Sequence, residues 1–469
     1  MSLIRRSRRQ AADSTRHPKN PPPHVGGSIL LALLVCAPVL AGDWPQFLGP
    51  HADGTSTETG LLDRWSTNGP PLVWETHIGT GYGAPSVRGD LLVLHHRVGG
   101  EEIVEALAAA TGKPIWRYAY PSRFIDPFGY NNGPRATPLL TTNRCYTFGA
   151  EGKLLCLDLK TGGLVWQRDT GKEWNVPEAF FGVGSSPLLT DGWLLVMVGA
   201  QTNAGMVAFE PQTGKMVWES VGEKNWSGQP KLGWPGDAPV VWNNWDKQAS
   251  YATPVVATIN GQRQVFCLMR QGLVMLNPTN GEVNFSRWFR ARVEESVNAA
   301  NPVVVDDLVI ISSAYYKLGS VLLRVQPDNR GYDELWRSTV LEAHWATPIY
   351  HEGYLYAFTG RNEPDARFRC IEFKTGKLMW DRAEGWPYHS TPQPNVYGRG
   401  SLIKADGKLI VLGEGGLLGL FKLNPTAAEE LGRFQIPQLH YPCWAAPVLA
   451  GKKLYLRSED RLVCLNLAR

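Results

Sequence analysis

The phrase Ala-Thr-Gly-Lys-Pro-Ile-Trp at residues 110–116 decides the fold of this chain, because the chain repeats it. Clear copies, which begin with Thr-Gly and end on Trp, lie at residues 161–166, 213–218 and 375–380. Weaker copies lie at residues 279–285, 328–336 and 424–431. Repetition at this kind of interval is typical of a fold assembled from copies of one small supersecondary unit.

A second phrase places a small residue before a proline and aliphatic residues after it. It occurs eight times, with the prolines at Pro85, Pro138, Pro187, Pro254, Pro302, Pro348, Pro392 and Pro447. Successive prolines are 44–67 residues apart, which suits a propeller blade of four short strands. The runs between the phrases, such as residues 193–198 and 354–358, are rich in aliphatic and aromatic residues, which excludes the helical solenoids of similar period.

The two phrases predict an all-β fold, an eight-bladed β-propeller of four-stranded antiparallel blades. Each proline phrase should open an innermost strand, and each Thr-Gly turn should lead into an outer strand, because glycine readily takes the positive φ of a tight hairpin. The tryptophan of the outer strand should then pack against the neighbouring blade. The predicted blade-docking residues are Trp74, Trp116, Trp166, Trp218, Trp336 and Trp380.

The ends of the chain predict how the ring closes. After Pro447 only two further strand-like runs follow before the chain ends, so the eighth blade lacks an outer strand. Near the N-terminus, the run Pro-Pro-Leu-Val-Trp-Glu at residues 70–75 resembles an outer strand with no blade before it. We expect this N-terminal strand to complete the last blade and so remove the exposed sheet edges of an open ring.

Residues 1–41 are predicted to be a signal peptide, followed by a single propeller domain at residues 42–469. A basic stretch precedes the apolar run of residues 29–40, which is too short to span a bilayer as a helix, and Val39 and Ala41 suit cleavage after Ala41. Cys36 invites a lipoprotein interpretation, but Val35 stands where a lipobox has a small residue, so a lipid anchor is not expected. The chain should therefore be exported to the periplasm or cell envelope, with no transmembrane anchor after cleavage.

Charge and cysteine content exclude several functions. The first 41 residues hold six basic side chains against Asp13, a balance of +5, so the remainder carries −1 of the chain's formal +4. A nearly neutral chain gives no reason to expect a nucleic-acid partner. Cys156, Cys370 and Cys464 occupy matching contexts in different repeats, which predicts small buried core residues, and no CxxC or adjacent cysteine pair exists.

The repeated phrases resemble those of the pyrroloquinoline quinone (PQQ) propeller superfamily, over roughly residues 44–469. The opening Asp-Trp-Pro-Gln-Phe-Leu-Gly-Pro at residues 43–50 and the stretch at residues 130–138 are similar to exported propellers of planctomycete-type bacteria. The superfamily has an enzymatic branch of quinoprotein alcohol and sugar dehydrogenases, which use PQQ and calcium. It also has a non-enzymatic branch of scaffolds such as BamB, the outer-membrane-protein assembly propeller.

The resemblance implies a cofactor only for the enzymatic branch, and several hallmarks of that branch are missing here. Those dehydrogenases are usually larger, and many carry a disulfide between adjacent cysteines over the quinone. Their calcium ligands are a Glu, an Asn and an Asp from separate blades, and no motif of this sequence identifies those three positions. PQQ and calcium therefore stay possible cofactors with no residues assigned to them from the family.

The residues just before the prolines should surround one mouth of the central channel. Among them, the candidate cofactor-binding or ligand-binding residues are Asn131, Asn132, Arg135, Asn298, His344, Trp345 and His389. Arg135 could hold an anionic group. His344 and His389 stand at equivalent positions, four and three residues before Pro348 and Pro392, which suggests a proton-transfer or metal-binding pair. The alternative is that such polar groups only satisfy strand backbone and channel water. Tyr130, Tyr251, Asn301 and Trp444 complete the expected ring.

Long connections between blades should lie on the same face as this mouth. The connection at residues 219–250 is rich in tryptophan, which predicts either an aromatic lid over the channel or a lid that packs only on itself; the residues concerned are Trp226, Trp234, Trp242 and Trp245. Glu294 and Glu295 are the nearest acidic pair and weak candidates for calcium.

Two functional hypotheses follow from the sequence. The first is a non-enzymatic binding or scaffold protein of the cell envelope, a monomer that binds an envelope protein or a saccharide through its long-loop face. The second is a PQQ- and calcium-dependent dehydrogenase that oxidises an alcohol or sugar, with the quinone stacked on a tryptophan of the mouth.

Overall fold

The structure, a computed structural model, describes residues 42–177, 180–226, 249–291, 296–388 and 390–469. The predicted signal peptide and its cleavage site lie outside these residues, as do His389, Glu294, Glu295 and three of the four lid tryptophans, and their assignments stay predictions. No helix in the described part of the chain is long and apolar enough to cross a membrane.

Thirty-two strands form eight four-stranded antiparallel sheets within the described residues. The first strand within the described residues is β1 (Leu72–His77). Blade 1 contains β2 (Ser86–Arg88), β3 (Leu91–Val98), β4 (Glu101–Ala108) and β5 (Pro114–Pro121). Blade 2 contains β6 (Leu139–Leu140), β7 (Arg144–Phe148), β8 (Lys153–Asp158) and β9 (Leu164–Asp169). Blade 3 contains β10 (Leu188–Thr190), β11 (Trp193–Val196), β12 (Met206–Phe209) and β13 (Met216–Ser220). Blade 4 contains β14 (Val255–Ile259), β15 (Gln262–Leu268), β16 (Gly272–Leu276) and β17 (Val283–Trp288).

The remaining blades follow the same order. Blade 5 contains β18 (Val303–Val305), β19 (Leu308–Ser313), β20 (Gly319–Val325) and β21 (Tyr332–Ser338). Blade 6 contains β22 (Ile349–His351), β23 (Tyr354–Thr359), β24 (Arg367–Glu372) and β25 (Leu378–Ala383). Blade 7 contains β26 (Ser401–Ala405), β27 (Lys408–Leu412), β28 (Leu417–Lys422) and β29 (Glu430–Gln435). Blade 8 contains β30 (Val448–Ala450), β31 (Lys453–Arg457) and β32 (Arg461–Asn466). The described helices are all short: one α-helix, α1 (Thr170–Glu173), and three 3₁₀ turns at Glu223–Trp226, Tyr315–Lys317 and Glu363–Asp365.

Ring closure by the N-terminal strand is confirmed. The sheet order of blade 8 is β1-β32-β31-β30, and β1 pairs antiparallel with β32 through Trp74 opposite Cys464 and His77 opposite Arg461. The first strand of the chain is therefore the outermost strand of the last blade, and the eight-bladed fold predicted from the repeat is the observed one.

The core of the molecule lies between blades rather than within them. One buried cluster joins Tyr146 and Phe148 of blade 2 to Val207 and Phe209 of blade 3. The cysteines of the described residues are free thiols and buried, and Cys156 lies opposite Trp166 in its sheet. Their sequence contexts predicted this placement, because matching positions in different blades cannot pair with one another.

One strand boundary differs from the sequence prediction. The innermost strand of blade 7 begins at Ser401 and not after Pro392, so Gly400 occupies the position that a proline takes in the other blades. Pro392 lies in the connection between β25 and β26. This longer connection also means that Val396, and not His389, stands five residues before its inner strand as His344 does, so the predicted equivalence of the two histidines is wrong.

The segment at residues 43–56 crosses the end of the channel opposite the mouth. Trp44 forms a β-bridge with Val87 of blade 1, and the carbonyl of Pro45 accepts a hydrogen bond from the amide of Leu140 in blade 2, at 2.8 Å. Further along the segment, the amide of Ser56 donates to the carbonyl of Lys404 in blade 7, at 2.8 Å. The segment therefore connects blades 1 and 2 to blade 7 and contributes Phe47 to the lining of the channel.

Candidate functional site

A ring of hydrogen bonds connects the blades where the innermost strands begin. In blades 2 to 6, the side chain of the residue before the inner-strand proline accepts a hydrogen bond from the backbone amide of its counterpart in the preceding blade. Five consecutive bonds of 2.8–3.1 Å follow this rule, with Ala84 as the first donor and Thr137, Ser186, Thr253, Asn301 and Thr347 as the acceptors. The small residue of the proline phrase thus fits the crowded channel and also supplies an acceptor oxygen.

This ring surrounds the mouth cavity, a space of about 190 Å³ at the channel end where the inner strands start. The backbone order places residues from most blades around it, together with Phe47 of the N-terminal segment. Its lining consists of Phe47, Tyr82, Tyr130, Arg135, Phe181, Gly184, Ser186, Tyr251, Thr253, Val297, Ala299, Tyr315, His344, Trp345, Arg399 and Trp444.

Aromatic rings in contact form most of the cavity wall. Trp444 contacts three other rings of the wall: its ring centroid is 5.0 Å from that of Tyr82, 5.3 Å from that of Trp345 and 5.5 Å from that of Tyr130. From Trp345 the contacts continue through His344 to Tyr315, at 4.8 and 5.2 Å. From Tyr130 they continue through Phe181 to Tyr251, at 5.7 and 5.5 Å.

Arg399 is the more strongly held of the two cations in the lining. Its guanidinium group bonds Glu414 through two nitrogens, at 3.1 and 2.9 Å, and Glu363 at 2.7 Å. Burial disfavours the charged form, but the two carboxylates outweigh burial and raise the pKa of Arg399. The same guanidinium lies over the ring of Trp345, 5.0 Å from its centroid, so its charge is both neutralised and fixed in position.

Arg135 lies across the cavity and is paired in the same way. Its Nη2 atom is 2.7 Å from a carboxylate oxygen of Asp126, and its Nη1 atom donates to the carbonyl of Gly133. Its guanidinium carbon is 5.4 Å from the ring centroid of Tyr82. Burial lowers the pKa of this side chain, although Asp126 opposes the effect. The bidentate contact to an anion suggested by the sequence would have to compete with Asp126.

His344 is an uncharged aromatic member of the wall. Burial lowers its pKa well below the ordinary value, and the positive charges of Arg399 and Arg361 lower it further. A neutral imidazole between Tyr315 and Trp345 contributes a ring face and no charge near neutral pH.

The structure separates the predicted candidates into two groups. Arg135, His344 and Trp345 line the cavity, as do Tyr130, Tyr251 and Trp444. Asn131, Asn132 and Asn298 do not line it, and each bonds its own surroundings. Asn131 donates to Glu459 at 2.7 Å, Asn132 accepts from the amide of Asp126 at 2.7 Å, and Asn298 donates to the carbonyls of Met269 and Phe289.

Trp226 is the one predicted lid tryptophan that the structure describes, and it does not support an aromatic lid over the cavity. The lid stays a prediction for the other three tryptophans, which lie outside the described residues. Trp226 is buried, with its ring centroid 5.3 Å from that of Trp288, and it does not line the cavity. This tryptophan packs in the interior beside blade 4.

Several cavity residues were not singled out from the sequence, namely Phe47, Tyr82, Phe181, Tyr315 and Arg399. Tyr82 lies three residues before Pro85, as Trp444 does before Pro447 and Trp345 before Pro348, so the blade register could have identified it. Phe47 and Tyr315 follow no repeat phrase, because they reach the mouth from the N-terminal segment and from a 3₁₀ turn inside blade 5.

The comparison with a family model extends over most of the propeller. The PQQ-repeat model described as "Outer membrane protein assembly factor BamB" matches residues 65–228 and 100–381. Curated relatives are the dehydrogenase subunits of quinone-dependent alcohol dehydrogenases. The subunit from Gluconacetobacter polyoxogenes is 24% identical over 188 residues, and that from Komagataeibacter europaeus is 23% identical over 200 residues. The matches cover 38% and 40% of this chain but only 25% and 26% of those proteins, so the chain spans about a quarter of their length.

Solved structures share the architecture. BamB from Moraxella catarrhalis has a TM-score of 0.53 at 14% identity, covering 84% of this chain and 97% of that one. A quinohemoprotein alcohol dehydrogenase from Pseudomonas putida HK5 has a TM-score of 0.60 at 12% identity, covering 91% and 80%. A europium-containing methanol dehydrogenase has a TM-score of 0.60 at 14% identity, covering 89% of each chain. Such low identities establish a shared fold and nothing about activity.

The described lining fits the quinone and calcium of the dehydrogenase branch only in part. A flat ring would find aromatic faces, but the two guanidinium groups that could meet its carboxylates are already bonded to Asp126, Glu363 and Glu414. Calcium needs several oxygen ligands, usually with carboxylates among them, and no carboxylate belongs to the described lining. Within the described residues, no group of three or more His, Cys, Asp or Glu side chains is arranged to hold a metal ion.

Proposed function

Since this chain belongs to the PQQ-repeat β-propeller family whose model is described as outer membrane protein assembly factor BamB, we propose that it is a non-enzymatic binding propeller. It works in the cell envelope after export and binds a protein or a saccharide at the mouth cavity. The observation that carries the proposal is the aromatic wall, whose two cations are neutralised by buried carboxylates. Such a wall suits recognition through apolar contact and hydrogen bonds.

Exposed apolar side chains beside the cavity support binding on this face. Phe128 and Tyr130 both belong to the connection between blades 1 and 2, both contact Phe181 of the cavity lining, and they are 50% and 46% exposed. Tyr441, on the other side of Trp444, is 37% exposed. Large apolar side chains grouped around a concave site are typical of interaction surfaces, since monomeric proteins rarely leave such groups exposed.

The second candidate function is a quinone-dependent dehydrogenase. Two observations favour it: the names of the curated relatives, and the rings of Trp345 and Trp444 in the lining, which offer aromatic faces to a flat quinone. Against it stand the paired guanidinium groups and the lack of carboxylates in the described lining. The size of the cavity is a further argument, because about 190 Å³ is below the roughly 300–1,000 Å³ usual for pockets of drug-sized ligands.

Titration of the purified protein with PQQ, in the presence and absence of calcium, separates the two functions. We expect no saturable quenching of tryptophan fluorescence at micromolar quinone and no reduction of an artificial dye with primary alcohols or sugars. The Trp345→Ala variant is the control for quenching that does not arise in the cavity. Saturable binding together with alcohol-dependent dye reduction would overturn the proposal and establish the dehydrogenase.

A further inference from the structure

We propose that the mouth cavity takes one ring of a neutral saccharide, stacked on the aromatic wall around Trp345 and Trp444. This inference rests on the proposed binding function and narrows its ligand from a protein or a saccharide to a saccharide. It follows from the charge of the cavity, the shape of its wall, the donors near its base and its size.

The charge of the cavity favours a neutral ligand. Arg399 is bonded to Glu414 and Glu363, and Arg135 is paired with Asp126, so neither cation is left uncompensated. An anionic ligand would therefore lose its hydration without gaining a free positive charge in return. A cationic ligand would likewise lose its hydration, because no carboxylate belongs to the described lining to receive it. A neutral polar ligand avoids both costs.

The wall favours a ligand with apolar faces and polar edges. Tyr82, Trp345 and Trp444 form one continuous side, through ring contacts of 5.0 and 5.3 Å. Aromatic faces are electron-rich, so they attract the polarised C–H groups that cover the face of a sugar ring. A pyranose offers that C–H face and carries hydroxyl groups around its edge.

Donors near the base of the cavity suit those hydroxyl groups. The hydroxyl oxygens of Ser186 and Thr253 each accept a backbone amide of the preceding blade, at 2.9 and 3.1 Å. A hydroxyl that accepts in this way still has its own hydrogen to donate. Both residues line the cavity, so their O–H groups can bond a sugar hydroxyl while the blade ring stays intact.

The size of the cavity limits the occupant to about one ring. Its volume of about 190 Å³ is below the roughly 300–1,000 Å³ of pockets for drug-sized ligands, so it suits one sugar ring better than two. A further sugar unit would leave the cavity and lie over Tyr130 and Tyr441, which are 46% and 37% exposed. Disaccharides should therefore bind more tightly than the corresponding monosaccharides.

The test is titration of the full-length protein with glucose, galactose, N-acetylglucosamine, cellobiose and maltose, followed by calorimetry and by tryptophan fluorescence. We expect saturable binding of at least one sugar, tighter for a disaccharide than for its monomer. Trp345→Ala should weaken binding about tenfold or more, since stacking on one aromatic face is lost. Trp345→Phe should retain most of the affinity because it keeps a ring.

Two further variants keep the experiment decisive. Tyr130→Ala changes a half-exposed residue of the rim, so it tests the disaccharide contact even if Trp345→Ala fails to fold. It should remove the preference for disaccharides. Trp193→Phe is the matched control, because Trp193 begins β11 and does not line the cavity. Its affinity should equal that of the unchanged protein.

The inference is overturned if no sugar binds at tens of millimolar, or if Trp345→Ala and Tyr130→Ala leave the affinity unchanged. Titration with N-acetyl-tryptophanamide, a mimic of a partner's side chain, distinguishes that failure from failure of the proposed function. Saturable binding of the mimic and of no sugar, sensitive to Trp345→Ala, would assign the cavity to a protein segment and leave a binding propeller in place. PQQ-dependent turnover would overturn both proposals.

Discussion

Six tryptophans on outer strands each connect a blade to the next one through a hydrogen bond, and so join six of the eight blades to their neighbours. The indole nitrogen of Trp166, for example, donates to the carbonyl of Pro211 in blade 3, at 2.9 Å. The other bonds, of 2.9–3.2 Å, are made by Trp74, Trp116, Trp218, Trp336 and Trp380. In blade 7 the equivalent position is Gly432, and Trp65 of the N-terminal segment packs there instead.

The glycine of the Thr-Gly turn is required at these contacts for two reasons. Gly214 has a φ of +70°, which side chains rarely adopt, and a Cβ atom there would lie 2.6 Å from the ring of Trp166. Gly112 and Gly162 meet Trp74 and Trp116 in the same way. The turn residue therefore serves its own hairpin and the neighbouring blade together.

We predict that Gly214→Ala destabilises the protein more than Gly407→Ala. Both glycines have a φ of +70°, but nothing lies within 4 Å of a Cβ at Gly407. The shared backbone strain should cost about 1–2 kcal/mol, and the clash with Trp166 should add about 1–3 kcal/mol to the Gly214 variant. Urea denaturation of both variants measures the difference, and equal free energies of unfolding would contradict the proposed contact.

At the residue scale, the sequence identified the cavity residues that follow the blade register and missed those that do not. Arg135, His344 and Trp345 stand within four residues of an inner-strand proline, and all three line the cavity. Asn298 stands at a comparable place but turns to the carbonyls of Met269 and Phe289. Register gives the height of a residue on its blade, whereas the direction of a short polar side chain depends on which backbone groups nearby need a partner.

At the scale of the strand, the hydrogen-bond ring shows why the residue before the proline carries a side-chain oxygen in blades 2 to 6. Its oxygen satisfies the amide of the preceding blade, which is otherwise buried at the crowded mouth. The series of hydrogen bonds does not continue into blade 7, because Arg399 stands at that position and its amide donates to Glu414 instead. The sequence prediction placed the inner strand of blade 7 directly after Pro392 because it treated this proline as part of the repeat. Pro392 lies in the connection before β26 and does not take the position that the other prolines take.

Substitution of Thr253 tests how much the hydrogen-bond ring contributes to the stability of the fold. Thr253→Val removes the oxygen that accepts the amide of Ser186, with little change in shape. The buried amide should then lose its partner, at a cost of about 1–3 kcal/mol in the free energy of unfolding. Thr253→Ser keeps the acceptor and serves as the control, with a loss of at most about 1 kcal/mol expected from its missing methyl group. Denaturant midpoints that fall equally for the two variants would argue against the ring as a source of stability.

At the scale of the whole molecule, the ring is closed by the first described strand, which is the outermost strand of the last blade. Strand β1 is the outermost strand of blade 8, and Trp74 on it bonds the carbonyl of Ala109 in blade 1, at 3.0 Å. Without β1, the edge of β32 would be unpaired and the contact between the last and first blades would be lost. Unpaired edges promote association between chains.

Replacement of residues 72–77 by a Gly-Ser sequence of equal length should therefore destabilise the ring and promote aggregation. The free energy of unfolding should fall by at least the roughly 3–5 kcal/mol that loss of a buried tryptophan costs. The double variant L72S/V73S is the control, because both side chains are exposed in β1. Size-exclusion chromatography and urea denaturation report the outcome, and a monomer of unchanged stability would contradict closure by β1.

The sequence by itself determined the eight blades, their docking tryptophans and the closure of the ring, because each can be recognised from local patterns that recur in most of the units. Turn glycines, strand periodicity and the leftover strand at residues 70–75 can be read without knowing any distant contact. Only the tertiary structure decided the chemistry of the mouth. The pairing of Arg399 with Glu363 and Glu414, and the entry of Phe47 from the opposite end of the channel, join residues from separate parts of the chain. No repeat specifies such contacts, since they depend on how eight blades and one crossing segment share a single small space.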